Sequence, residues 1–318
     1  MDQDLAAAGT TTLESTARQR LDAAIAQVNA VLVGKNQPIR KAFACLLAAG
    51  HLLIEDVPGV GKTTLAHALA VTLGLSFRRI QFTSDLLPSD IVGVSVFDRD
   101  RNAFRFQPGP IFAQLLLADE INRATPKTQS ALLEAMAEGQ VTADGASRAL
   151  PQPFFTVATQ NPMDTAGTYP LPDSQLDRFM LRISLDYPDP ESERKLLTGE
   201  DRATLLGRLH ACLSADDILA LRSQAHAVTA SPALLDYVQA LVTASRKHPD
   251  IRTGLSPRAG LALLACARAW AYLGARDYVM PEDVQAVFTG VAAHRLIPAR
   301  SVARDALAQT LLESVAVE

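Results

Sequence analysis

The run Pro58-Gly59-Val60-Gly61-Lys62-Thr63-Thr64 has the composition of a loop that holds phosphate. Glycines at 59 and 61 let backbone N–H groups turn inward, a helix starting near Lys62 adds the positive end of its dipole, and the Lys62 ammonium adds a point charge. The Thr63 hydroxyl is suited to a Mg²⁺ ion accompanying the phosphates. The flanks agree with this chemistry. His51-Leu52-Leu53-Ile54 reads as a buried strand, and Leu65-Ala66-His67-Ala68-Leu69-Ala70 has helix-forming composition. The loop departs from the pattern G-x-x-x-x-G-K-[ST] at one place: Asp56 stands where the first glycine belongs.

Two further groups could serve the same chemistry. Gln114-Leu115-Leu116-Leu117-Ala118 reads as a buried strand that delivers Asp119-Glu120 at its C-terminal end, where ligands of open α/β sheets bind. Asp119 would hold Mg²⁺, directly or through water, and Glu120 would polarise an attacking water. Another strand, 154–159, ends in Gln160-Asn161-Pro162, and the Asn161 amide could report on a γ-phosphate or on that water.

The elements that must position these groups follow from periodicity and punctuation. Leu21, Ile25, Val28 and Leu32 recur at helical spacing over 17–33; residues 1–16 are Thr/Ala-rich and predicted to be disordered. A second helix over 38–49 leads into the first strand, and 77–82 reads as the next. Residues 83–91 are Pro-interrupted and irregular. Val94, Val96, Phe104 and Phe106 flank Arg99-Asp100-Arg101-Asn102 and predict a hairpin with one apolar face; Asp144-Gly145 marks the turn of a second hairpin. Thr125-Pro126 caps a helix that Gly139 closes. After a last strand over 181–185, Tyr187-Pro188-Asp189-Pro190 punctuates the chain. Beyond it the pattern predicts helices over 196–213, 215–225, 232–247, 258–273 and 281–293 and no strand. The division is therefore an α/β domain over 1–187 and an all-α domain over 188–318.

Composition narrows the function classes. Of 318 residues, 48% are hydrophobic and 20% charged, as in a soluble globular protein, and the net charge of −4 argues against a chain built mainly to hold nucleic acid. No apolar stretch reaches the ~20 residues of a membrane helix, and the acidic N-terminus lacks the form of an export signal, so a cytoplasmic location is expected. Cys45, Cys212 and Cys266 have no metal spacing and read as core residues. The histidines form no ligand pair.

In combination these residues resemble the AAA+ ATPases, and within them the MoxR family. The likeness rests on Val57-Pro58-Gly59-Val60-Gly61-Lys62-Thr63, Leu116-Leu117-Ala118-Asp119-Glu120-Ile121-Asn122-Arg123-Ala124, Thr128-Gln129-Ser130-Ala131-Leu132-Leu133-Glu134-Ala135-Met136, Thr159-Gln160-Asn161-Pro162, Leu176-Asp177-Arg178-Phe179 and Ser256-Pro257-Arg258. MoxR-like loops often read Glu-Asp-Val-Pro-Gly, which accommodates Asp56. The resemblance implies a P-loop NTPase core, a parallel sheet sandwiched by helices with β-hairpin inserts, followed by a smaller all-α lid. It implies Lys62 and Thr63 as the Walker A pair, Asp119 and Glu120 as Walker B, Asn161 as sensor 1, Arg178 as the arginine finger and Arg258 as sensor 2. The hairpins resemble the helix-2 insert and the pre-sensor-1 hairpin, and Val33-Gly34 the stretch beside adenine.

ATP and Mg²⁺ are the implied ligands, hydrolysis in a hexameric homo-oligomeric ring the implied activity, and a client protein with a von Willebrand factor A (VWA) domain protein the implied partners. An ATP-dependent nucleic-acid machine is the alternative; no helix-turn-helix, zinc or RNA-binding motif accompanies the loop. A guanine-nucleotide switch is disfavoured because neither Asn-Lys-x-Asp nor Thr-Lys-x-Asp follows the loop.

Overall fold

The computed structural model describes residues 2–162 and 167–317, with side chains from residue 17 onward. Chain order begins with two helices, α1 (Asp2–Val31) and α2 (Asn36–Leu47), then β1 (Leu52–Glu55), α3 (Lys62–Thr72) and β2 (Phe77–Gln81). A short helix α4 (Pro88–Val92) precedes the hairpin β3 (Gly93–Asp98) and β4 (Ala103–Pro108). Next come β5 (Leu115–Asp119), α5 (Pro126–Glu138), the hairpin β6 (Gln140–Ala143) and β7 (Ala146–Ala149), then β8 (Phe155–Gln160), α6 (Asp173–Leu176) and β9 (Leu181–Ile183). The remainder is mostly helical: α7 (Pro190–Thr198), α8 (Arg202–Gly207), α9 (Ala215–Ala227), α10 (Pro232–Lys247), α11 (Pro257–Leu273), α12 (Pro281–Ala292) and α13 (Arg304–Glu313).

The central sheet has the order β2-β5-β8-β1-β9 with every pair parallel. Alternation along the strands divides their side chains between two buried layers, as a sheet covered on both faces requires. Leu52, Ile54, Leu115, Leu117, Phe155 and Val157 enter one cluster with α1, α2 and α11; Leu53, Leu116, Ala118 and Ala158 enter the other with α5. The first cluster continues from Phe43 and Cys45 of α2 to Cys266 and Trp270 of α11, so the helical region is packed onto the sheet's helices. Arg18 and Arg40 add cation–π contacts to Tyr272 and Trp270.

Several sequence expectations need correction. The first helix has the bounds Asp2–Val31, against the 17–33 that periodicity predicts. Met1 lies outside the described residues. Residues 196–213 are not one helix: α7 ends at Thr198 and α8 begins at Arg202, with Asp201 as its N-cap. A short antiparallel pair, Ile251–Thr253 with Ile297–Pro298, lies where no strand was expected.

The first hairpin also differs. Its register pairs Phe97 with Phe104 and Val96 with Arg105, which puts Val94 and Val96 on one face and Phe104 and Phe106 on the other. An even-length turn pairs odd with even positions, and parity read along the chain cannot show that. The second hairpin turns at Asp144 and Gly145, both at positive φ, as Asp-Gly predicts.

Candidate active site

The phosphate loop joins β1 to α3 at the C-terminal end of the sheet. Gly59 (φ 87°) and Gly61 (φ 106°) adopt left-handed backbone, and Gly61 is the N-cap of α3, so the helix opens directly onto the loop. The Lys62 Nζ donates to the Asp56 carbonyl at 2.5 Å and to the Val57 carbonyl at 3.2 Å. Burial lowers the Lys62 pKa, and the carboxylates of Asp56, Asp119 and Glu120 act against that shift. Thr63 and Thr64 follow Lys62 in the first turn of α3.

Asp56 explains its own departure from the glycine pattern. Its buried carboxylate accepts from the Val57 amide at 2.8 Å through Oδ1. Oδ2 accepts from the Leu185 and Asp186 amides at 2.6 and 2.7 Å and from the Ser184 hydroxyl at 3.1 Å. The loop is thereby fastened to the segment leaving β9, which Lys35 also grips through the Asp186 carbonyl at 3.0 Å.

Asp119 ends β5, and its carboxylate is oriented from both neighbouring strands. Thr159 Oγ1 on β8 donates to Oδ1 at 2.5 Å and accepts the Glu120 amide at 2.9 Å; Arg79 on β2 donates to Oδ2. Glu120 has φ 55°, and its Oε2 accepts from Gln81 Nε2 and Arg123 Nε, each at 2.9 Å. Asn161 follows β8, which lies between the strands leading to Lys62 and to Glu120, and it lines a cavity with Glu55, Asn122 and Gln160. Thr159, Arg79 and Gln81 were absent from the sequence-derived set; only the strand order, which interleaves distant segments, reveals them.

Beside Gly59 and Val60, a second cavity is lined by Leu32, Val33, Lys35, Tyr187, Pro188, Leu197 and Arg202. It is largely apolar, and it includes Val33 of the stretch expected beside a base.

Arg178 and Arg258 are brought together elsewhere. Both line a cleft with Gly50, His51, Met136 and Arg268. His51 precedes β1 and Met136 lies in the last turn of α5, so the cleft lies at the N-terminal edge of the sheet, roughly 15 Å of strand from the loop that follows β1. Arg178 Nη1 donates to the Leu133 carbonyl at 2.5 Å. Lys62, Asp119, Glu120 and Asn161 therefore share one edge of the sheet, while Arg178 and Arg258 share the other.

Residues 51–181 match the family described as ATPase family associated with various cellular activities (AAA), and 243–315 match the AAA lid domain. The chain is 40% identical over 306 residues to Chaperone MoxR1 of Mycobacterium tuberculosis, covering 93% of this chain and 80% of the relative. The chain belongs to the MoxR family of AAA+ ATPases. It is also similar, at 45% identity over 277 residues and 87% of each chain, to the uncharacterized protein YeaC of Bacillus subtilis. The crystal structure of a candidate ATPase from Cytophaga hutchinsonii superposes with a TM-score of 0.87 at 36% identity, covering 98% of this chain and 99% of that one. The MoxR assignment accounts for the α/β core followed by a lid and makes this a nucleotide-binding protein of an ATPase family. Among the described residues, no helix is long and apolar enough to cross a membrane.

Proposed function

We propose that this protein hydrolyses ATP with Mg²⁺ in a ring of identical subunits, most simply a hexamer, and uses the cycle to remodel or mature client proteins in the cytoplasm, together with a VWA-domain partner. The AAA+ core is taken as 1–187 and the lid as 188–318. Pro58 to Thr64 would wrap the phosphates, with Lys62 on their charge. The Thr63 hydroxyl and the Asp119 carboxylate, both hard oxygen donors, fit Mg²⁺, which would neutralise phosphate charge during transfer. Glu120 would accept a proton from the attacking water and Asn161 would orient it. The adenine ring suits the apolar cavity beside Gly59.

The observation that carries this reading is the separation of the arginines from the loop. Phosphoryl transfer needs added positive charge on the γ-phosphate, and Arg178 and Arg258 lie at the sheet edge opposite their own loop. A second copy that sets this edge against its neighbour's loop completes the site, so an isolated subunit is a poor ATPase.

Mixing subunits tests the proposal. Lys62→Ala abolishes nucleotide binding but keeps Arg178, and Arg178→Ala keeps an intact loop. Lys62→Ala alone is inactive, Arg178→Ala alone keeps only a low residual rate, and mixed rings recover turnover. No recovery at any ratio would mean that Arg178 does not act across an interface.

A further inference from the structure

Among the described residues Arg178 makes no side-chain ion pair, and its short segment Asp177-Arg178-Phe179-Met180 joins α6 to β9. Its N–H groups are held by the carbonyls of Asp173, Gln175, Leu176 and His51, and its carbonyls are held from the helical region, chiefly by one side chain. Arg295 follows α12 in a short 3-10 turn, Ala293–Arg295, and its side chain is only 4% exposed. Its Nε donates to Asp177 Oδ1 at 2.6 Å, Nη1 to the Met180 carbonyl at 3.0 Å, and Nη2 to the carbonyls of Phe179 at 2.8 Å and Asp177 at 3.3 Å. Nη1 also donates to the Val291 carbonyl in α12. The adjacent His294 reinforces the grip, with Nε2 2.9 Å from the Phe179 carbonyl.

We infer that Arg295 is the positioning residue through which the lid sets the place of Arg178 at the subunit interface. The planar fork is what makes this possible: a guanidinium offers fixed donors to several carbonyls at once, which an ammonium cannot match. α12 packs against α11, the helix that carries Arg258, so any displacement of the lid moves Arg258 and the Arg178 segment together. A nucleotide in one subunit that shifts its lid thereby changes the arginine offered to the next. This inference rests on Arg178 acting in trans.

The test is a double-mutant cycle on the assembled protein. Arg295→Lys keeps the charge and loses the fork; Asp177→Asn breaks the ion pair with little change of shape and serves if Arg295→Lys does not fold. Each is combined with Arg178→Ala, and turnover is read beside the affinity for a fluorescent ATP analogue. We expect each single variant to lose about a hundred-fold in kcat, the cost of misplacing a catalytic group by roughly 1 Å, with nucleotide affinity little changed. In the Arg178→Ala background the same substitutions then lower turnover no further. Equal losses with and without Arg178, or losses confined to affinity and melting temperature, overturn the inference. If Arg178→Ala alone retains full turnover, the trans reading fails and the inference falls with it.

Discussion

Arg79 and Asp119 meet at two points across neighbouring strands: Nη2 lies 2.7 Å and Nε 3.1 Å from the same carboxylate oxygen. The guanidinium holds a position on the carboxylate that a cation arriving with nucleotide would contest. Because the Arg79 side chain is 49% exposed, the pair is a modest one, of order 1 kcal/mol or less. Arg79→Ala should lower the Mg²⁺ concentration needed for half-maximal nucleotide binding by a few-fold, read by titrating Mg²⁺ at fixed nucleotide. A rise instead would assign Arg79 to holding Asp119 in its productive rotamer.

Asp56 gives the opposite expectation from its motif. Replacing it with glycine restores the common phosphate-loop residue but strips the buried Leu185 amide and the part-buried Asp186 amide of their acceptor. An unsatisfied buried donor costs about 1–3 kcal/mol. Asp56→Gly should therefore destabilise the protein by about 1–3 kcal/mol and weaken nucleotide binding, measured by urea unfolding and by titration. A variant as stable as the parent would show that the loop is not fastened through this carboxylate.

These contrasts show what the sequence carries and what it does not. The loop, the acidic pair after β5 and the order of strands and helices follow local rules, since Gly59, Gly61, Lys62, Asp119 and Glu120 each sit at an element end that composition marks. Arg79, Gln81 and Thr159 were illegible because their roles depend on β2, β5 and β8 lying side by side, a fact of pairing across distant segments. Arg295 was illegible for the same reason: it lies just past the helix expected over 281–293, and its partners lie far back in the chain. The face of the first hairpin failed differently, through a register that turn length sets.

Arg202 supplies a prediction about the lid on its own subunit's nucleotide. Its Nη1 lies 4.0 Å from where a Cβ at Gly61 would start, and it shares the cavity with Gly59, Val60 and Lys35. A guanidinium there can reach the phosphates as they enter, and a charge-assisted hydrogen bond contributes about 1.5–3 kcal/mol. Allowing for solvent, Arg202→Ala should weaken ATP binding roughly ten-fold, with a smaller effect for Arg202→Lys. Unchanged affinity in a fluorescence titration would remove Arg202 from the site.

His51 makes the fold sensitive to acid. Nδ1 accepts the Thr156 amide at 3.0 Å, and Nε2 lies 3.2 Å from the Met136 carbonyl, to which it donates; the ring packs edge-on against Phe154. Protonating Nδ1 would break the first bond, and burial pushes the pKa from 6.5 down to about 4, with the Met136 contact opposing. Between those values the unfolded chain holds a proton that the folded chain does not, so the free energy of unfolding rises with pH across the window. Stability is thus fully present above 6.5 and is lost as the pH falls toward 4. His294, also pushed down by burial, acts in the same direction and leaves a residual slope. Unfolding midpoints measured across that range should fall less steeply for His51→Gln than for the parent, because glutamine can offer both hydrogen bonds without titrating. Parallel slopes would place the acid sensitivity in other groups.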